Sequence, residues 1–243
     1  MLKIMEELVL KAAVFAGTAV DTRMGVELLE RRGIEALAIP MSSTCEEQSQ
    51  LQYFSQEALE NLFIAKSDEA IKKGSDIIVI YCNSLSSAID YEKIQKLLNI
   101  QIFSPLDTYK KLPDDCKNIA ILAANGLAAY TIDKIIQKYN REKNTIPIGN
   151  MSIVQLIEKD LHPAEIVRLL NLKGFLSYLE NIEINDYKID SLILGCTHFP
   201  YIKNELQKHT SIRIIDPAEK MLETILHTKE KKEYAKENSN NDR

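Results

Sequence analysis

Two short strings, far apart in the chain, are built alike. Around Cys82 the sequence reads IVIYCNSLSSA, and around Cys196 it reads LILGCTHFP. Each is an apolar run that stops at a cysteine followed by small hydroxyl or amide residues, the pattern of a buried strand entering a helix N-terminus. A thiol held there sees the positive end of a helix dipole, which favours the thiolate. One such thiol is a candidate nucleophile. Two in equivalent settings, one on each half of a protein, suggest a base and an acid facing each other across a single substrate.

Other residue types near these strings fit that chemistry, each with a plainer reading beside it. Asn83 and Ser84 offer donors to a carboxylate, or are an ordinary Asn/Ser cap. Thr197 caps the next helix and can also bind an anion, while His198 can relay a proton for Cys196. The plainer alternative is a capped turn with a surface histidine, although Cys-Thr-His is an unusual cap. Pro200 suits a first helical turn. Asp21, in GTAVDTRMGVELL, can act on a thiol or hold an ammonium group. More commonly, an Asp or Thr before an apolar-periodic run is a helix N-cap. Glu158 lies on a short helical stretch and reads as an acid behind the site or as a solvated glutamate. Cys45 and Cys116 sit in polar loop-like stretches and read as incidental. Gly17 and Gly25 do not form GxGxxG, so no dinucleotide site is indicated. No cysteine pair is spaced CxxC and the four histidines are scattered, so neither a metal nor any other cofactor is expected.

The elements that must position these residues alternate between strand and helix, which points to parallel sheets covered by helices. Strands are expected at 12–16, 35–39, 76–81, 100–103, 118–123, 145–148, 190–194 and 212–215. Helices are expected near 23–32, 46–73, 84–98, 127–140, 151–160, 163–180, 201–208 and 217–228, with Gly74 closing the longest. The polar, proline-containing segment 105–117 is the best domain crossover. The expected fold class is α/β: two similar three-layer domains with mostly parallel sheets, facing each other across a central cleft. The first would hold residues 1–106 plus 206–243, and the second 107–205. Ligands of such sheets bind beyond the carboxyl ends of the strands. Cys82, Cys196 and the loop FAGTAVDTRMG all follow directly after strands. The last residues, KEKKEYAKENSNNDR, read as a frayed helix or a disordered tail.

The 243 residues suffice for one large or two small domains, and 45% hydrophobic residues suffice for real cores. A net charge of −5 argues against nucleic acid as a partner. No apolar run approaches the roughly 18 residues of a membrane span. Glu6 and Glu7 stand where a signal peptide would be apolar. A cytoplasmic protein with free thiols and a small-molecule partner is expected, with neither nucleic acid nor membrane as partner.

Taken together, these strings resemble the aspartate/glutamate racemase family, and within it the glutamate racemases most, over nearly the whole chain. The family's Asp-Ser-Gly motif looks like Asp21-Thr22-Arg23, with Gly25 two residues on. Its Cys-Asn-Thr is similar to Cys82-Asn83-Ser84. Its Gly-Cys-Thr-His-Tyr-Pro is matched by Gly195-Cys196-Thr197-His198-Phe199-Pro200, the most specific string, and its closing acidic turn by IIDPAEKM around Asp216. The resemblance implies racemisation without pyridoxal phosphate, two cysteines exchanging the roles of base and acid. Asp21 would assist Cys82, and His198 and Glu158 would assist Cys196. Thr22, Asn83, Ser84, Thr197, Pro40 and Ser42 would contact the substrate. It also implies D-glutamate supply to a cell wall.

Three departures fall on the substrate side. The loop before Asp21 is longer than the family's tight turn. Pro40-Met41-Ser42 replaces Pro-Tyr-Gly. The loop Ala123-Ala124-Asn125-Gly126-Leu127-Ala128 lacks the expected hydroxyls. These bear on which amino acid is bound, so aspartate or another amino acid stands as the alternative to glutamate. A relative that breaks a carbon–carbon bond often keeps one thiol, and this chain has both. A non-catalytic amino-acid-binding or regulatory relative is the reading of another class. A site between two mobile domains is often steadied by dimer contacts, which leaves a homodimer open.

Overall fold

The computed structural model describes residues 10–42, 47 and 53–241. Cys45 and residues 46 and 48–52 of the expected long helix lie outside them. The first unit runs β1 (Lys11–Ala16), α1 (Ala19–Glu30), β2 (Glu35–Pro40), α2 (Gln56–Lys72), β3 (Ile77–Ile80), α3 (Asn83–Ala88), α4 (Tyr91–Leu98), β4 (Gln101–Phe103). A 3-10 turn at Pro105–Lys110 leads to the second: β5 (Asn118–Ala123), α5 (Gly126–Tyr139), β6 (Asn144–Gly149), α6 (Met151–Glu158), α7 (Pro163–Leu169), α8 (Leu172–Glu180), β7 (Ser191–Gly195), α9 (Pro200–Gln207), β8 (Arg213–Ile215). A last helix, α10, covers Pro217–Asn241.

Each unit is built on a four-stranded parallel sheet, ordered β2-β1-β3-β4 in one and β6-β5-β7-β8 in the other. The two orders are the same pattern. Every residue of β3, β5 and β7 is buried, as central strands covered on both faces require. The edge strands β2, β6 and β8 alternate between exposed and half-buried positions. The two α/β units expected from the alternation are therefore present.

The chain returns to the first unit with α10, whose Ala218, Met221, Leu222 and Ile225 join the core of β1 and β3. Before that, β8 pairs with β7, so the crossing comes after residue 215 rather than at about 206. The same core takes in Ile119, Ile121, Ala128, Ile132 and Ile136, so it runs unbroken into the face of β5 that α5 covers. A second core, from Leu122 and Leu192 to Ile166 and Leu176, fills the other face of that sheet.

Some helix bounds differ from the periodicity, each for a local reason. The helix expected over 84–98 is two, because Ile89 is extended and Asp90 caps α4 by accepting from the Lys93 N–H at 2.9 Å. The stretch 163–180 breaks at Asn171, which adopts the left-handed conformation at φ 48. The helix expected near 23 starts at Ala19, because the cap is Thr18 and not Asp21 or Thr22. The tail continues as helix to Asn241.

Candidate active site

Both sheets are parallel, so β1, β3, β5 and β7 each deliver their next loop at a carboxyl edge. Gly17 and Thr18 follow β1, Tyr81 and Cys82 follow β3, and Cys196 follows β7. Each cysteine follows the third strand of its own unit. Gly195 allows the close passage before Cys196, since a Cβ there would stand 2.7 Å from Ile132 Cδ1.

At the start of α1, Thr18 and Asp21 form a capping box: the Thr18 hydroxyl accepts from Asp21 N–H, and the Thr18 N–H donates to Asp21 Oδ1 at 2.7 Å. Asp21 Oδ2 accepts from Gly17 N–H at 3.1 Å. Burial at 1% exposure raises the Asp21 pKa, and the charge of His198 and the N–H groups of Thr18 and Gly17 only partly offset it. Thr18 Oγ1 also lies 2.7 Å from Glu158 Oε1, 140 residues away at the end of α6. That contact ties the first unit to the second.

Cys82 caps α3, its sulfur accepting from Leu85 N–H at 3.5 Å. Burial pushes its thiol up to about 12, helped by the charges of Asp21 and Cys196 and opposed by the N–H groups of Leu85 and Ser84. Cys82 is thus a thiol at neutral pH. Asn83 Oδ1 accepts from the fully buried Tyr109 hydroxyl at 2.9 Å, while its Nδ2 is buried with no hydrogen-bond partner among the described residues. Tyr81 has its pKa raised by burial and by the charges of Asp216, Asp21 and Cys196.

Cys196 is set differently. Its sulfur lies 3.7 Å from His198 Nδ1, and His198 Nε2 lies 2.9 Å from Glu158 Oε1. Burial alone would strip this ring of its charge. The contacts with Cys196 and Glu158 and the charge of Asp21 outweigh burial, and the pKa rises to about 10. A protonated His198 presents one N–H to Glu158 and one to the Cys196 sulfur.

One side of the site therefore holds Cys82 as a protonated thiol, and the other a cysteine sulfur in contact with a protonated imidazole. Contacts join Cys196, His198, Glu158, Thr18 and Asp21 in one run, and the charge of Asp21 bears on Cys82. Asn83 and Thr197 are buried beside the cysteines, and Ser84 is half-buried on α3. Thr22 gives its hydroxyl to Thr18 O and Ser42 gives its own to Gly17 O, both at 2.5 Å, so both hydroxyls also brace the β1–α1 loop. Pro40 ends β2, with its carbonyl accepting from Lys66 Nζ at 3.2 Å.

Thr18, Tyr81 and Tyr109 were not visible as site residues in the sequence. Thr18 carried a usable signal, the Thr-x-x-Asp spacing to Asp21 ahead of an apolar-periodic run. The tyrosines carried none, since each reads as core. Cys116, buried at 1% exposure beside Asp115 and Arg213, lies away from these groups. No cluster of three or more His, Cys, Asp or Glu fit for a metal ion occurs among the described residues.

The family model for the Asp/Glu/Hydantoin racemases matches residues 33–224. A glutamate racemase of Buchnera aphidicola is 32% identical over 174 residues, which are 69% of this chain and 64% of that protein, so just under two thirds of the relative's length is matched. The glutamate racemase of Thermus thermophilus, solved with β-chloro-D-alanine, superposes with a TM-score of 0.69 at 16% identity, covering 92% of this chain and 82% of that one. That of Francisella tularensis, solved with D-glutamate, gives 0.65 at 21% identity, covering 90% and 80%.

Proposed function

Since the chain belongs to the Asp/Glu/hydantoin racemase family, we propose that it is a cofactor-independent amino-acid racemase, with Cys82 and Cys196 on opposite faces of the α-carbon. The observation that carries this reading is the run of contacts from Cys196 through His198, Glu158 and Thr18 to Asp21, with Cys82 and its raised thiol pKa following β3. An amino-acid α-hydrogen is barely acidic. Inversion needs a base on one face, an acid on the other, and stabilisation of the charge between them. In the first direction Cys196 removes the proton and Cys82 supplies one to the far face; in the other the roles exchange. Asp21 assists Cys82, and His198 with Glu158 assists Cys196. The unpartnered Asn83 amide is a donor in search of an acceptor, and the α-carboxylate supplies one. Ser84 and Thr197 add hydroxyls at the two helix entrances.

Glutamate is the proposed substrate, because the relatives in sequence and in fold are glutamate racemases, with aspartate or another amino acid as the second reading from Met41, Ser42, Ala124 and Asn125. A cytoplasmic place, a homodimer and a supply of D-glutamate to the cell wall belong to the same proposal. The test is α-hydrogen exchange in deuterated water, followed by circular dichroism across the common L-amino acids, without pyridoxal phosphate or metal. Exchange with inversion of glutamate is expected. Inversion of neutral or basic amino acids alone would change the substrate and keep the mechanism. Binding without any exchange would leave the non-catalytic reading.

A further inference from the structure

We propose that Thr18 is a positioning residue joining the two thiol systems: its hydroxyl bridges Asp21 and Glu158, so that the closed site holds one carboxyl proton shared between them. Thr18 Oγ1 stands 2.7 Å from Glu158 Oε1 and 3.0 Å from Asp21 Oδ1. A hydroxyl has one proton to give. With both carboxyl groups ionised it donates to one and turns a lone pair on the other, in a buried setting where that repulsion is poorly screened. One added proton removes the conflict. Asp21 then donates to Oγ1 and Oγ1 donates to Glu158, or the run reverses. Passing between these arrangements breaks one O–H bond at Asp21, forms one at Glu158, and exchanges the hydrogen on Thr18, with no other reactant. The same Glu158 oxygen meets His198 Nε2 at 2.9 Å, and His198 meets Cys196. Asp21 in turn acts on Cys82 through its charge. A single connected run therefore links the protonation of one thiol to that of the other.

The titratable groups around the bridge are Asp21 on α1, Glu158 on α6, Cys196 and His198 after β7, Tyr81 and Cys82 after β3, and Asp216 after β8. The pKa of His198 is raised to about 10 and that of Cys82 to about 12. Burial holds the Asp21 pKa up, as a retained proton requires.

A bridge of this kind stabilises the singly protonated pair. It therefore spreads the two titration steps of the pair apart, one moving down and the other up in pH. Thr18→Val removes the hydroxyl at nearly constant shape, and Thr18→Gly does so with a residue tolerated at helix N-caps, should valine fold poorly. Thr18→Ser keeps it. Isotope-edited infrared spectra of the protonated carboxyl band, recorded from acid to alkaline pH, read the pair directly and without substrate. In the valine and glycine variants the two steps should close up by a unit or more in total, with serine restoring the native spacing. The pH profile of racemisation, which rests on the function proposed above, should narrow from both sides in the same variants, with the rate at its maximum down about ten-fold. Native spacing of the steps in both variants would overturn the bridge, and Thr18 would be a helix cap only, whatever the rates. Absence of α-hydrogen exchange in the unsubstituted protein would instead sink the racemase reading and leave the infrared result to decide the bridge.

Discussion

At the scale of single residues, the two thiols differ in partner, and their substitutions should differ in consequence. On the function proposed above, Cys82→Ala and Cys196→Ala should each lower net racemisation by about a thousand-fold or more, since each would remove the acid–base group of one face. The remaining thiolate can still remove and return a proton on its own face. The two variants should then exchange the α-hydrogen of opposite enantiomers in deuterated water, as read by NMR. Exchange of the same enantiomer by both would refute the opposed-face arrangement. His198 also makes stability depend on pH. Its folded pKa of about 10 stands above the ordinary 6.5, so the contribution of its contacts is complete below about 6.5 and is lost as pH rises toward 10. Urea titrations across that window should show a steeper loss of stability in the native protein than in His198→Gln. Equal slopes would mean that the ring is neutral in the folded state. The Cys-Thr-His string made this residue legible because His198 neighbours its partner in sequence. Glu158 was legible only through resemblance, because its contacts with Thr18 and His198 are made 140 and 40 residues away.

At the scale of elements, Gly25 determines how α1 lies on the sheet. A Cβ there would meet Tyr81 Cγ at 2.7 Å and Val14 Cγ1 at 2.8 Å. Gly25→Ala should destabilise the fold by about 1–3 kcal/mol, as overpacking does, despite the better helix propensity of alanine. It should also cut activity through displacement of Tyr81, the neighbour of Cys82. A rise in thermal midpoint would show that α1 has room to move. The strands were legible in the sequence, because an apolar run such as IIVI or NIAILA has to be buried on both faces somewhere. Helix starts and breaks were less so. Thr18 caps α1 about one turn before the expected position near residue 23, and Ile89 and Asn171 interrupt apolar patterns that continue beyond them. Periodicity reports the buried face of a helix, whereas the break is decided by one residue's backbone angle.

At the scale of the whole molecule, the site is shut. Cys82 and Cys196 are 6% and 8% exposed, and α3 packs against α5 over the seam between the units. For the function proposed above, a substrate would enter only when the units part, and closure would then exclude water from the charges inside. Alkylation of both cysteines should therefore become independent of reagent concentration at high reagent, when opening limits the rate. An equimolar D- and L-glutamate mixture should slow it, with mass spectrometry resolving each site. Reaction of both thiols at the rate of free cysteine would show that the closed form is not the resting one. The unequal surroundings of the two sulfurs carry one more consequence. Enantiomers in water have the same free energy, so the equilibrium constant of a racemisation is unity, and kcat/KM for the two directions must be equal however unlike the bases are. A cysteine backed by His198 and a thiol flanked by Asp21 could not make the proposed racemase prefer one enantiomer over the other. Their difference can appear only in matched pairs: whichever hand is turned over faster at saturation must have the larger KM, by the same factor.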